Sequence, residues 1–350
     1  MRAMILAAGY GTRLNPLTLD RPKPLMEVLG TPIIEMQLQS LRKWGVSHAM
    51  LNTHHLGDQL QKRLGSQFAG IKLSYSPEPL ILGTGGGLKQ AEDFFAGESA
   101  FLLLHGDVLI DLDFASLMQF HKRYQPVSTM VLKEVSDFQG TRPVGTDFYN
   151  RVSRFLGIST ETPTVKERMF CGVHALSPSV LSHLPLNSNY CITADAYPKL
   201  VAQGENIMGF NFDGFFCDIG TLDQYYALNM GLLAGDIKLK KINLFSRYNR
   251  LGPLLPDGSP QYKKTIWMGD NVKINMRQVT PPCIIDDNTI IDEQVKIGPF
   301  AIIGRDCVIE GESTLSNSIV QSGTRINNQV LEREMRSRNH SASIGLKQDC

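Results

Sequence analysis

No stretch of the 350-residue sequence approaches the roughly 18 consecutive apolar residues of a membrane-spanning helix. The chain also lacks a CxxC pair, any metal-type cysteine spacing, and an excess of charge of one sign. The first absence removes a transmembrane reading. The six cysteines (Cys171, Cys191, Cys217, Cys283, Cys307 and Cys350) lie in a chain too long to need disulfide staples, so reduced core thiols are expected. Lys and Arg number 35 against 34 Asp and Glu. A net charge of +1 offers no global field to nucleic acid or an anionic membrane, so an anionic ligand must be caught by a local site. The opening MRAMILAAGYGTRL has an apolar part of only about six residues that runs into glycine and charge, unlike a secretory leader. A cytoplasmic protein is expected.

Composition is that of an ordinary globular protein: 42% apolar, 20% charged, with 31 Gly and 18 Pro, which excludes disordered, collagenous and coiled-coil classes. The length predicts two or three domains. Over the first third, apolar runs at Ala3–Leu6, Ala49–Asn52, Ile71–Ser74 and Phe101–Leu104 read as strands. Between them, Ile33–Trp44, Leu56–Leu64 and Leu88–Phe95 have helical spacing. Alternation of this kind predicts an α/β domain, a mostly parallel sheet with helices on both faces, whose ligands sit beyond the carboxyl ends of the strands. Strand-like runs at Thr129–Leu132, Arg151–Phe155, Gly172–Leu176 and Met208–Phe212, with a helix near Ala194–Ala202, continue the same domain. A helix over Leu222–Leu233 closes it near Gly235, and a domain of 1–235 is expected, followed by a linker over 236–264.

Beyond the linker the period changes. Val279, Ile285, Ile291, Ile297, Ile303, Ile309 and Leu315 recur at every sixth residue, and small residues such as Ala301, Cys307 and Ser313 stand two before several of them. A hexapeptide period of this kind is the mark of a short parallel β-helix, here expected over 265–330 and followed by a polar tail over 331–350.

The residues that could carry chemistry cluster after strands. Leu6-Ala7-Ala8-Gly9-Tyr10-Gly11-Thr12-Arg13-Leu14 is followed by Arg21-Pro22-Lys23-Pro24-Leu25. Two glycines let the backbone pass close to phosphate, while Arg13 and Lys23 bring cations to the same string. Leu14 stands where a dinucleotide fingerprint would need its third glycine, and no G-x-x-x-x-G-K-[ST] string occurs, which disfavours both Rossmann and P-loop readings. Glu78, Gly83, Thr84, Gly85 and Gly86 form a second glycine-rich start to a helix, where bare backbone could meet a flat base. Asp107 and Asp218 each end an apolar run, and two such carboxylates can share one Mg²⁺ with phosphate oxygens and water. Asp111 and Asp113 read as loop and helix-cap residues, and adjacent His54 and His55 as structural ones.

The string Leu6–Arg13 with Pro22-Lys23-Pro24-Leu25 resembles the signature of the sugar-1-phosphate nucleotidylyltransferases. The likeness runs through to the hexapeptide repeats and is greatest to bacterial mannose-1-phosphate guanylyltransferase-like proteins. The resemblance implies that the C-terminal β-helix is left-handed. It implies that Leu6, Ala8, Gly9, Gly11, Thr12 and Arg13 wrap a nucleoside triphosphate, that Glu78 and Gly83–Gly86 contact base and ribose, and that Arg13 and Lys23 neutralise phosphates. Asp107 and Asp218 correspond to the family's metal ligands. His105 stands where relatives usually have Asn, and Cys217 where a polar or basic residue is common. At the sugar-phosphate end Lys166 or Arg168, Gly172 and Asp195 are the candidates.

The implied reaction joins an NTP to a sugar 1-phosphate with release of pyrophosphate, GTP and mannose 1-phosphate being the first choice. UTP with glucose 1-phosphate or N-acetylmuramic acid 1-phosphate is the alternative, and a catalytically idle regulatory subunit is the rival from another class. The repeats from Val279 to Leu315 hold no histidine, which disfavours an acyltransferase. Neither nucleic acid nor a membrane is an expected partner, and the β-helix is expected to build a homo-oligomer.

Overall fold

The computed structural model describes residues 1–138 and 142–345. By its contacts the chain divides into two units, Met1–Tyr10 with Ile34–Asp218, and Gly11–Ile33 with the residues from Ile219 onward.

The first unit is built on a sheet whose four leading strands are parallel: Ile71–Pro77, His48–Thr53, Arg2–Leu6 and Phe101–His105, in that spatial order. Met4, Ile5, Leu102 and Leu103 are wholly buried, the near-continuous apolar run that a strand covered on both faces requires. The long strand Lys166–Leu176 follows antiparallel to Phe101–His105, and beyond it Ser128–Lys133 and Ile207–Phe212 complete the layer. Phe95 stacks on Phe101 with centroids 3.8 Å apart within the core. Asp113 accepts from Ala115 N at 3.0 Å and Ser116 N at 3.2 Å and caps the helix Phe114–Tyr124, as expected of it. Because Arg2–Leu6 has its parallel neighbours on both sides, strand order reverses about it. The crevice at its carboxyl end is where an α/β sheet binds ligands.

The second unit contains three parallel ladders. One runs Ile266–Met268, Cys283–Ile285, Ala301–Ile303, Ser318–Val320 and Glu334–Arg336. The others are Ile290–Ile291, Val308–Glu310, Arg325–Asn327 and Lys296–Ile297, Thr314–Ser316, Val330–Glu332. The arrangement is that of a parallel β-helix, with Ile285, Ile291, Ile297, Ile303, Ile309 and Leu315 pointing into one core.

Three expected boundaries move. The coil does not stop at 330: Leu331 and Met335 are wholly buried, and Ser341–Ser343 pairs antiparallel with Glu334–Arg336. The inward positions after Leu315 are Val320, Ile326 and Leu331. Two of those steps are one residue short, so the period fades from the sequence while the coil continues. Residues 346–350 of the expected tail, Cys350 among them, lie outside the described residues. The segment expected as a linker contains the strand Asn249–Leu251, paired with Ile266–Met268, and the short turn Tyr262–Lys264. The helix Leu222–Ala234 groups with the second unit, because Tyr225 OH donates to Glu27 O at 2.6 Å, Leu29 N to Asn229 Oδ1 at 2.8 Å, and Tyr226 OH to Asn317 O at 2.8 Å.

The five cysteines among the described residues are free thiols, and burial pushes Cys171, Cys283 and Cys307 up to about 12. Among those residues no helix is long and apolar enough to cross a membrane.

Candidate active site

In the first unit the loop after Arg2–Leu6 is held from the neighbouring strand. Ala7 N donates to Asn52 Oδ1 at 2.8 Å, and Asn52 Nδ2 donates to Glu78 Oε1 at 2.8 Å. Glu78 Oε2 in turn accepts from Leu82 N at 2.9 Å, at the entrance to the helix Gly83–Gln90. Asn52 and Glu78 are each 3% exposed. A buried carboxylate with both oxygens engaged fixes geometry, so Glu78 spans two loops rather than presenting an open face to a base. Tyr10, 51% exposed, is steadied by His54, whose Nε2 lies 3.0 Å from its hydroxyl while Nδ1 donates to Glu78 O at 2.7 Å. His54 is thus structural, as expected.

The glycine run packs closely against a neighbouring segment. Gly85 N and Gly86 N both donate to Tyr190 O, at 2.7 and 3.0 Å, and Thr84 Oγ1 accepts from Ile192 N at 2.9 Å. A Cβ on Gly83 would stand 2.7 Å from Tyr190 O, and one on Gly86 2.2 Å from Ser188 O. Segment 188–192 lies close against this bare backbone, and two of the helix-start N–H groups, those of Gly85 and Gly86, are answered by it.

The two aspartates lie near one strand pairing. Phe216–Asp218 pairs antiparallel with Val108–Ile110, with Asp218 opposite Val108, and Asp107 stands in the turn just before that strand. Gly106 makes the turn possible: its N–H donates to Leu6 O at 2.9 Å, and a Cβ there would lie 2.5 Å from that oxygen. Gln37 Nε2 closes the turn by donating to His105 O and Val108 O, each at 2.8 Å. Gly172, at φ +67°, sits where the register of Lys166–Leu176 shifts, and a Cβ on it would meet Val108 at 3.0 Å and the His105 ring at 3.2 Å. Below it His174 is wholly buried, its Nδ1 2.6 Å from Tyr197 OH, and burial with the nearby His105 holds it well below the usual histidine range.

The remaining sugar-end candidates have local partners. Lys166 Nζ donates to Glu134 Oε1 at 2.9 Å, while Arg168 is 3% exposed and donates to Thr146 Oγ1 at 2.8 Å. Asp195 accepts from Cys191 N at 2.7 Å and so braces the turn Ile192–Ala196.

In the second unit Gly11 adopts φ +67° ahead of the turn Thr12–Leu14, and Thr18 Oγ1 donates to its carbonyl at 2.9 Å. A Cβ on Gly11 would lie 3.1 Å from Lys23 Cβ, and Arg13 Nη1 is 3.1 Å from where a Gly220 Cβ would be. Lys23, 9% exposed, stands in the turn Lys23–Leu25. Arg21 Nη1 meets Glu27 Oε1 at 2.6 Å and its Nη2 donates to Ser322 O at 3.1 Å; Glu27 Oε2 accepts from Ser322 Oγ at 2.9 Å. Asp20 accepts from Ser337 Oγ at 2.8 Å and Asn339 Nδ2 at 3.0 Å, hydrogen bonds that hold its carboxyl below the usual range against the opposing effect of burial. The signature string is therefore tied on both sides of Lys23 to coils of the β-helix.

Asn52 and Gln37 were not singled out from sequence, although each left a trace. Asn52 ends an apolar strand in a polar residue, and Gln37 shares a helix face with Ile34, Leu38 and Leu41.

Comparison with known proteins identifies the family. Residues 2–235 match the Nucleotidyl transferase family. The chain is 30% identical over 346 residues to a UTP--glucose-1-phosphate uridylyltransferase of Synechocystis, covering 93% of this chain and 84% of that protein. It is 35% identical over 226 residues to a mannose-1-phosphate guanyltransferase of Emericella nidulans, covering 63% of this chain and 61% of that protein. Among solved structures, HddC from Yersinia pseudotuberculosis shares the fold, with a TM-score of 0.56 at 24% identity over 66% of this chain and 99% of that one.

Proposed function

Because the chain belongs to the Nucleotidyl transferase family and is a sugar-1-phosphate nucleotidyltransferase, we propose that it joins GTP to mannose 1-phosphate, giving GDP-mannose and pyrophosphate. The observation that supports this reading is the pairing of Asp218 with Val108, the residue that follows Asp107 in the chain.

The donor set suits Mg²⁺. Among the described residues no group of three His, Cys, Asp or Glu could hold a metal ion. Asp107 and Asp218 would supply part of a shell that phosphate oxygens and water complete, the usual state of protein-bound Mg²⁺. When bound, the ion would neutralise charge on the reacting phosphates.

A phosphate oxygen of the sugar 1-phosphate attacks the α-phosphorus, a new P–O bond forms, and the bond to the β-phosphate oxygen breaks with pyrophosphate carrying off the electron pair. The side chains have little covalent work, and positioning with charge neutralisation carries the rate. Arg13 and Lys23 are assigned to the phosphates by their charge and their place in the signature string. Leu6, Ala8, Gly9, Gly11 and Thr12 present backbone to the nucleotide, with Glu78 and Gly83, Thr84, Gly85 and Gly86 holding the neighbouring wall in place. Gly172 leaves room for the sugar beside the Asp107 turn, and Lys166 and Asp195 are the polar groups assigned to its outer end. The protein is assigned to the cytoplasm as a homo-oligomer, which light scattering would check.

The full-length likeness to a uridylyltransferase favours a second reading, UTP with glucose 1-phosphate. Pyrophosphate release from a matrix of five NTPs and the candidate sugar phosphates, with Mg²⁺, separates them. The expected result is turnover with GTP and mannose 1-phosphate, falling at least 100-fold in Asp107→Asn and Asp218→Asn with the fold kept, on the order expected when transition-state charge loses its partner. Turnover with UTP and glucose 1-phosphate alone selects the second reading. Silence across the matrix from folded protein overturns both.

A further inference from the structure

The second unit holds a cavity of ≈ 810 Å³ between the end of the helix Leu222–Ala234 and the segment 236–264. Nothing in the proposed reaction uses it. The volume lies within the roughly 300–1,000 Å³ of small-molecule sites. Five lysines line it, Lys238, Lys240, Lys241, Lys263 and Lys264, with Asp257 the one acid in the lining and Asp236 beside it 3.4 Å from Lys263 Nζ. All five are exposed, whereas the neighbouring Ile237 and Leu239 are half-buried. In a chain with 35 basic and 34 acidic residues, such a local excess is a built feature.

The floor is aromatic. Phe245 lies over Trp267 with centroids 4.3 Å apart and planes 32° from parallel, and Tyr262 is 5.5 Å from Phe245. Tyr262 is fixed in turn against the helix end, where its ring lies 2.5 Å from the position of a Cβ on Gly235. Trp267 is 4% exposed, and its Nε1 is buried with no hydrogen-bond partner. Buried donors in native structures are nearly always answered. Trp267 lines the cavity, so an acceptor brought by a ligand is one way to answer this N–H.

We propose that this cavity is a second, non-catalytic binding site for a nucleoside phosphate, its flat base against Phe245, Tyr262 and Trp267 and its phosphates on the lysine rim. Aromatic side chains take any base by its face, and clustered ammonium groups hold phosphate charge in a manner that salt screens.

The sequence has two tryptophans, Trp44 and Trp267, so a Trp44→Phe background reports Trp267 alone. ADP, GDP, UDP and CDP, inorganic pyrophosphate and the four uncharged nucleosides are titrated into it while fluorescence is followed. The expected result is a saturable change with at least one nucleoside diphosphate, weakened at least tenfold when either the base or the phosphates are missing. Lys240→Glu/Lys241→Glu and, on the other side, Lys263→Glu/Lys264→Glu should each weaken it at least tenfold while pyrophosphate release stays within twofold. Three results overturn the proposal: no saturable change with any nucleoside diphosphate, an unchanged titration in both double variants, or loss of binding and turnover together, which returns the signal to the catalytic centre.

Discussion

Replacing Asn52 tests how the nucleotide loop is held. Its amide makes two buried hydrogen bonds, accepting from Ala7 N and donating to Glu78 Oε1. Asn52→Ala deletes both and leaves a backbone donor and a carboxylate oxygen short of partners in a region only 3% exposed. A neutral bond contributes about 1 kcal/mol and one to a charged acceptor about 2 kcal/mol, so a loss near 3 kcal/mol is expected. In a unit of this size that lowers the melting temperature by roughly 6–12 °C. Because Ala7 opens the signature string, the KM for nucleotide should rise by about tenfold, the cost of a misplaced binding loop. Asn52→Asp separates the two bonds: it keeps the acceptor for Ala7 N but sets a second carboxyl against Glu78. Two carboxyls so placed hold a proton between them above the ordinary carboxylate range. The variant's stability contribution is then present at low pH and lost as pH rises through the raised value, so its melting deficit should be small near about pH 4.5 and large near about pH 8. Calorimetry and initial rates are the assays. An Asn52→Ala protein melting within 1 °C of the parent, or an Asn52→Asp deficit independent of pH, would refute the reasoning.

Three further perturbations have defined outcomes. Glu27→Gln removes the charge that Arg21 faces at 2.6 Å in a site where both are largely buried; a loss of about 3 kcal/mol and a lower kcat are expected, and an unchanged urea midpoint would contradict it. Gly86→Ala drives a methyl to 2.2 Å from Ser188 O, which should cost about 2–3 kcal/mol, whereas Gly45→Ala, at φ +85° with open space around it, should show only backbone strain; equal losses would show that the contact with segment 188–192 is unimportant. Burial lowers His121 to about 4, with its Nδ1 2.9 Å from Thr129 Oγ1. Its depressed value gives stability that is full above about pH 6.5 and is lost as pH falls toward 4, some 2–3 kcal/mol by the shift, and urea midpoints at pH 7 and pH 4.5 should diverge less in His121→Gln than in the parent.

What the sequence revealed follows from which forces leave a periodic trace. Buried strands leave apolar runs, so Arg2–Leu6, His48–Thr53 and Phe101–His105 lie where Ala3–Leu6, Ala49–Asn52 and Phe101–Leu104 predicted them. The β-helix core shows itself for as long as each turn is six residues, and stays hidden once Leu315 to Val320 and Ile326 to Leu331 take five. Asp107 and Asp218 could be read because each ends such a run, but that one strand pairing lies near both is a matter of the fold. The glycine run was visible and its purpose was not: a missing side chain looks the same in sequence whether a ligand or the segment 188–192 fills the space. Asn52 and Gln37 work through single long-range bonds, to Ala7 and Glu78 and to the His105–Val108 turn, and one polar residue on an apolar face carries no label for its partner.

The anchoring of the signature string has a consequence for how the chain must be understood. A loop that binds phosphate has to hold cations in place against their own repulsion and against the entropy of a long side chain, about 2 kcal/mol for each lysine or arginine. Here that order is imposed from the β-helix. Arg21 and Glu27 bracket Lys23 and end on Ser322, Asp20 ends on Ser337 and Asn339, and Met26 Sδ accepts from Gln321 Nε2 at 3.4 Å. From the other side Tyr225 and Asn229 of the helix Leu222–Ala234 fix Glu27 O and Leu29 N. The coil residues 321–339 are thus structural parts of the string around Lys23. Shortening the chain before Gln321 would remove four of these hydrogen-bonding residues at once and leave the Glu27 carboxylate with Arg21 alone. The β-helix is then a frame for the cations that the proposed reaction needs, and its loss should show first in kcat rather than in the stability of the sheet in the first unit.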